Sequence, residues 1–446
     1  MGVTVNRCLG VFSLAILLVS THYGLGFLLG TAEQALIRGV SGSLYAVSIG
    51  LGTLALLALV KFYWNEVEQI WTLLGNRYGQ SVKVGVGLMS WTSLIGIEAV
   101  QIIAAASILN VAGVPTVPAM VTLTLLFAIL SLLPVERASW VFRGLLLFNL
   151  LALVYALVAL HGVSLYWEAP LQFIPALSDL PLAKRIGISL PTILLVLIDM
   201  KCQQFIVQAK DVRTAYWGCL LAALMLLLLA FLPTAVVVAA QAAQILPLDL
   251  TGKEVIPYIL TWIGGGANRL EGRVLIAALA VPALGLGSNV LRIQAKTILD
   301  LEVIPPTEIN RIGIVIINAL LALAVAFKGG EIIQLILCFY AAYLSTVWVP
   351  FIAFLLAEFK IYYFSATSVR TALIAGSVSA LITLGITILM PKAISFLSPE
   401  LIILLIGLGF GSFGLSSVHL IEKFAAYLPT GASQSCESQF ENCPLR

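Results

Sequence analysis

The sequence predicts an all-α polytopic membrane protein with about twelve transmembrane helices, and three observations predict it. Mean hydropathy is +1.07 and 61% of residues are hydrophobic, more than a water-soluble domain carries. Only 10% are charged. The apolar residues form runs that match the roughly 20 residues a helix needs to cross a bilayer, not the strict alternation of an outer-membrane barrel. The bilayer is therefore an expected partner. A formal net charge of +3 is too small to imply nucleic acid.

The runs place helices at 8–30, 41–60, 82–111, 117–133, 140–165, 187–208, 214–244, 271–299, 312–327, 331–357, 371–390 and 400–421. The third, seventh and eighth are long enough to tilt or to extend beyond the membrane. The connections 166–186 and 245–270 are expected to hold short surface helices. Arg7 and the apolar run from Leu9 look like the start of a signal peptide. No small-residue cleavage site follows, so the first helix is expected to stay in the protein. The chain reads as one membrane domain over 1–428 with a polar tail, 429–446, expected to be disordered. Lysine and arginine divide fourteen to eight between the two sides. This bias predicts an integral plasma (inner) membrane protein with both termini cytoplasmic. The six cysteines show no ligand spacing, and Cys436 and Cys443 in the tail are expected to be reduced thiols.

Two of the predicted helices contain polar or helix-weakening residues at mid-membrane depth. The first has Ser20, Thr21, His22, Tyr23, Gly24, Gly26 and Phe27; the sixth has Asp199, Lys201, Cys202, Gln203 and Gln204. Two nearby glycines, each costing about 1 kcal/mol against alanine, favour unwinding. Interrupted backbone at that depth survives where it lines a cavity or packs on protein. Paired breaks in corresponding positions of two halves point to the solute site of a secondary transporter, with two inverted repeats of five helices each and two peripheral helices. The repeats would span about 8–165 and 187–357, and the peripheral helices 371–421.

Charges elsewhere in the membrane narrow the candidates. Asp199 and Lys201 each cost about 2.5–3.5 kcal/mol to insert, so both should face protein or water. Asp199 suits an ammonium, a proton or a hydroxyl, or an ion pair with Lys201 or Arg292. Gly285, Ser288, Asn289, Arg292 and Lys296 recur at spacings of three and four, which predicts one helix face. Glu98 and Gln101 occupy adjacent turns of the third helix, lining a cavity or bonding between helices. His22 reads as a hydrogen-bonded structural residue or a proton relay. No metal-ligand spacing, phosphate loop or nucleophile motif occurs, so no metal, no cofactor and no enzymatic activity is expected.

These residues resemble the sodium:solute symporter family, whose members have the LeuT-type inverted-repeat fold. Gly24-Leu-Gly-Phe-Leu-Leu-Gly30 with Ala35-Leu-Ile-Arg-Gly39 is similar to the family's first core helix and the turn after it. Gly75-Asn-Arg-Tyr-Gly79 is similar to its "ERYG" loop. The run Asp199 to Asp211 resembles "(D/N)Q…QR…AAKD", and Ala278–Asp300 resembles the eighth core helix. The resemblance implies a small-molecule solute bound by Gly24, Gly26, Phe27, Gln101, Asp199 and Lys201. It implies Na⁺ coupling through carbonyls at Ser20, Tyr23 and Val281 and two hydroxyls at positions here occupied by Leu284 and Gly285. Leucine and glycine offer a hard cation no side-chain oxygen, so the sodium site reads as degraded. Arg292 then stands as a candidate fixed-cation surrogate, and Asp199 or His22 as a candidate H⁺-coupling group. Phe27 replaces a polar position of sugar-transporting relatives, which favours an amine, amino acid or small heterocycle. A proton-coupled or uncoupled permease of the same fold and a non-transporting solute sensor remain open. The oligomeric state is not encoded in any of these features.

Overall fold

The computed structural model of the chain describes residues 7–66, 68–133, 135–390 and 397–427. The predicted tail with Cys436 and Cys443 lies outside them. Among the described residues all regular structure is helical apart from an isolated bridge. The first half holds α1 (Val11–His22), α2 (Leu25–Arg38), α3 (Leu44–Ala55), α4 (Val60–Asn65), α5 (Ile70–Tyr78), α6 (Gln80–Val111), α7 (Thr116–Leu132), α8 (Val135–Ala159) and α9 (Val163–Ser178). The second holds α10 (Leu182–Ile198), α11 (Met200–Ile206), α12 (Val212–Leu229), α13 (Leu232–Ala242), α14 (Val255–Ile263), α15 (Leu270–Asp300), α16 (Glu308–Lys328) and α17 (Ile332–Glu358). Two further helices, α18 (Ala366–Leu389) and α19 (Pro399–Tyr427), complete the order.

Among the described residues eight stretches are long and apolar enough to cross a membrane, or nine if the bent pair α8–α9 is one span. The sequence expectation of twelve is therefore not met as twelve continuous helices, and the reason is physical. The breaks cut the first and sixth expected spans into α1–α2 and α10–α11, whose pieces are short, and α7 has only 17 residues. Conversely, 25–58 reads as one apolar stretch but is two helices. Gly39 has φ 55°, and the chain doubles back so that Gly42 lies against the Ala35 backbone. A Cβ on Gly42 would lie 2.6 Å from the Ala35 Cα, an approach only glycine allows. The seventh expected span holds two helices, α12 and α13, separated by Ala230 and Phe231, and still reads as one span over 212–242. The two connections do carry helices: most of α9 lies in 166–186, and α14 lies in 245–270.

Burial separates an inner from an outer set. The most apolar windows of α6 and α17 are 83% buried, whereas those of α16 and α18 are 33% buried. The exposed faces of α16 and α18 are Ile, Leu and Val, side chains a lipid phase solvates as well as protein does. Without a hydrophobic drive between helices in lipid, close contact depends on small residues. Gly96 of α6 is such a contact: a Cβ there would lie 2.7 Å from the Phe339 Cβ on α17 and nearer still to its ring.

One end of the bundle is zipped by backbone. Leu9 donates to the Gln208 carbonyl (3.0 Å) and accepts from Lys210 (3.1 Å), joining the start of α1 to the end of α11. Trp64 donates Nε1–H to Ala209 O (3.1 Å), and the Arg7 guanidinium lies 3.8 Å from the Trp64 ring centroid. The ion pairs Arg77–Glu358 (3.6 Å) and Lys83–Glu302 (3.3 Å) belong to loops and helix ends on this side. At the opposite end Gln34 donates to Glu331 (3.0 Å) and the Ile332 amide to Glu33 (2.8 Å), joining α2 to the start of α17. A cavity of about 460 Å³ enters there, lined by residues including Gln34, Lys184, Ile188, Glu331, Leu337 and Glu400.

Candidate functional site

The site grows out of two helix interruptions. At the first, Tyr23 (ψ 75°) and Gly24 (ψ −173°) leave helical geometry. The Gly24 amide donates to the His22 carbonyl (2.9 Å) instead of the Ser20 carbonyl four residues back that a helix would use. The Ser20 and Thr21 hydroxyls both donate to Leu17 O, at 2.8 and 2.9 Å. At the second, Asp199 (ψ 114°) separates α10 from α11. Its Oδ1 accepts from the Lys201 amide at 2.9 Å, an N-cap that satisfies one orphan donor of α11. Tyr63 fills the other side of this break by donating its hydroxyl to the Leu197 carbonyl (2.5 Å).

The two breaks meet. His22 Nε2 lies 3.3 Å from Cys202 Sγ across 180 residues of chain. The ligand atoms of His22, Asp199 and Cys202 all lie within 4.8 Å of one another. Tyr45, Tyr63, Tyr340 and Tyr343 lie within electrostatic reach of Asp199. Cys202 and the four tyrosines carry no motif that would flag them. The one legible signal is Cys202 three residues after Asp199, hence on its face of α11.

Phe27 is 2% exposed and stacks on Tyr23 with centroids 5.3 Å apart. Gly26 faces α17, where a Cβ would lie 2.6 Å from Ile336 Cδ1, so its smallness serves helix packing. A Cβ on Gly24 would lie 3.6 Å from Leu286 Cδ1, which brings α15 against the first break. Gln101 is buried with Oε1 unpaired, and both carboxyl oxygens of the fully buried Glu98 lack a hydrogen-bond partner among the described residues. Lys201 is partly exposed.

On α15, Leu284 is partly buried and Gly285 buried, and the Ser288 hydroxyl donates to the Gly285 carbonyl (3.1 Å). The side chain of Val281 lies outside the described residues. The face expected from Gly285 to Lys296 does not line one cavity: Ser288 is buried, whereas Asn289 and Lys296 are exposed. Arg292 donates Nε–H to Ser131 O (3.2 Å) and Nη2–H to Leu130 O (3.2 Å) and Leu133 O (3.0 Å). Its guanidinium thus caps the end of α7, whose last carbonyls have no helical partner. In this conformation those bonds tie α15 to α7.

The chain superposes on a Na⁺-coupled sialic acid symporter, solved in a substrate-bound outward-open state, with a TM-score of 0.61 over 89% of each chain. The chain has a LeuT-type fold. Sequence identity over that match is 12%, so the likeness is one of fold. No protein-family model and no curated protein matches the chain. With its apolar helices, this fold makes the chain an integral membrane protein.

Proposed function

We propose that this protein is a secondary transporter of a small polar organic solute that works by alternating access and belongs with the sodium:solute symporters. The observation that carries the reading is the meeting of two interrupted helices at His22, Asp199 and Cys202 in the middle of a LeuT-type bundle. In this reading α1–α2 and α10–α11 each cross the bilayer as one broken helix, which with α7 completes twelve crossings and two five-helix repeats, 8–165 and 187–357. The zipped end is cytoplasmic, as the lysine and arginine bias predicts, and the open cavity faces outward.

The solute would contact the backbone at Gly24 and Gly26, the Phe27 ring, Gln101 and the Asp199–Lys201 pair. A carboxylate with the Phe27 ring suits an amine, an amino acid or a small heterocycle better than a neutral sugar. The sialic acid of the structural neighbour belongs to that protein. Leu284 and Gly285 supply no side-chain oxygen, so a sodium ion bound there would rest on carbonyls alone, and the Gly285 carbonyl already accepts from Ser288.

Purified protein in liposomes tests the reading. A thermal-shift panel finds a ligand, and uptake is then measured under imposed sodium and proton gradients. Uptake without a sodium requirement is expected, and strictly sodium-driven uptake would restore the site read as degraded. A proton-coupled reading is favoured by the unpaired, fully buried Glu98, which can enter lipid only as a neutral acid or beside a transient partner. If uptake follows the proton gradient, Glu98→Gln should abolish its pH dependence and leave folding intact.

The zipped end carries its own expectation. Trp64→Ala removes the bond to Ala209 and the Arg7 stack, together worth about 1–2 kcal/mol. The population opened on the zipped side should rise about tenfold. A cysteine introduced at Ser20 should then react faster with a maleimide supplied from that side; an unchanged rate would mean that the zipper does not control access.

A further inference from the structure

We propose that His22, Asp199 and Cys202 form a binding site for a divalent transition-metal ion of the zinc class, which ties the end of α1 to the start of α11. The inference goes beyond transport and does not depend on it. Three donors of different kinds converge: an imidazole nitrogen, a thiol sulfur and a carboxylate oxygen, all within 4.8 Å of one another. In a tetrahedral zinc site neighbouring nitrogen and sulfur ligands are about 3.5 Å apart, from bonds of about 2.0 and 2.3 Å. His22 Nε2 and Cys202 Sγ already stand at 3.3 Å.

The carboxylate has the freedom to close the set. Asp199 is held through Oδ1 by the Lys201 amide, and its other oxygen has no partner among the described residues. A movement on the order of 1 Å brings an oxygen to ligand distance. The geometry follows from local structure. His22 is the last residue of α1, where the helix ends at Tyr23, and Cys202 lies in the first turn of α11 one helical step from Asp199.

The charges balance as well. A neutral imidazole, a thiolate and a carboxylate sum to −2 and neutralise a divalent cation, which a low-dielectric bundle requires. The Cys202 sulfur gives its proton to water as the metal binds. The mixed N, S, O set favours zinc, cobalt(II) or copper over magnesium or calcium, which take oxygen ligands. Three protein ligands leave a fourth position open, so the metal is exchangeable or can accept a solute atom. His22 and Asp199 keep partial exposure, which gives the ion a route in, and Cys202 is buried behind them. Lys201, within electrostatic reach of His22 and Cys202, opposes the cation and weakens binding.

The test uses the purified full-length protein with Cys8→Ser, Cys436→Ser and Cys443→Ser in every arm, because Cys8 is exposed and the polar tail holds the other two thiols. Cobalt(II) is titrated and the sulfur-to-cobalt charge-transfer band is followed in the near ultraviolet. The expected result is one cobalt per chain with that band, lost when zinc is added. Cys202→Ser should remove the band. His22→Gln and Asp199→Asn should each weaken binding by more than about 100-fold, since even outer-shell partners are worth about 10- to 100-fold. Lys201→Gln should tighten it. No band at saturating cobalt, or a band that survives Cys202→Ser, overturns the proposal. If any of these variants fails to fold, zinc-edge X-ray absorption on the chain with all three ligands intact decides: one sulfur scatterer per zinc supports the site, and none overturns it. A protein that binds cobalt in this way but moves no solute in liposomes keeps this inference and loses the transport reading.

Discussion

Asp199→Asn should reduce solute uptake to background while the protein still folds. Asparagine is as good an N-cap as aspartate, so it can keep the 2.9 Å bond to the Lys201 amide that starts α11. The break between α10 and α11 then survives, and only the charge is lost. In the proposed mechanism the charge is the feature a cationic or hydroxyl-bearing solute recognises, and a hydrogen bond to an ionised group contributes about 1.5–3 kcal/mol. Losing it costs roughly 10- to 100-fold in affinity, and more in flux if the solute must pair with Asp199 to let the bundle close. The check is uptake and melting temperature on the same preparation. Near-normal uptake would remove Asp199 from the solute site. A collapse of melting temperature together with uptake would show that the carboxylate is structural.

The second large effect lies away from the site. Gly96→Leu should prevent recovery of a monodisperse, folded protein. A Cβ at residue 96 would lie 2.7 Å from the Phe339 Cβ and against its ring. Phe339 is 4% exposed and cannot swing aside. Relief therefore requires α6 and α17, whose apolar windows are the most buried of the candidate spans, to separate. Overpacking of a filled core costs about 1–3 kcal/mol for added methylenes alone, and forcing two helices apart also forfeits dispersion along their length. Gly96→Ala should fall between wild type and leucine in detergent melting. If leucine melts like wild type, the close approach of α6 and α17 is wrong.

Much of the architecture was legible in the chain before any fold was known. Gly24 and Gly26 marked the first interruption and Asp199 the second, because both offend the one strict rule of the bilayer, that backbone polar groups must be satisfied locally. That 166–186 and 245–270 hold helices was also foreseeable, from connections too long to be tight turns, but α14 is largely buried and not on the surface. The helix count was less secure. An apolar run shows how much chain prefers lipid, not where it bends: the sequence places helices at 8–30 and 41–60, whereas the chain breaks at Tyr23 and Gly24 and turns at Gly39 and Gly42.

The sequence by itself determined that this is an all-helical membrane protein with two interrupted helices, and that positions 284 and 285 hold no oxygen-bearing side chain. Those properties reside in residue identity and in spacing along one helix. Only the tertiary structure decided which faces meet. His22 and Cys202 touch across 180 residues, Tyr63 satisfies the carbonyl that the Asp199 break releases, and Arg292 turns to the end of α7. The physical reason is that lipid and protein interior are nearly equal solvents for an apolar side chain. The usual contrast between a buried and an exposed helix face is therefore faint in the sequence, and partners are chosen by small-residue fit and by the few polar groups that must find one another.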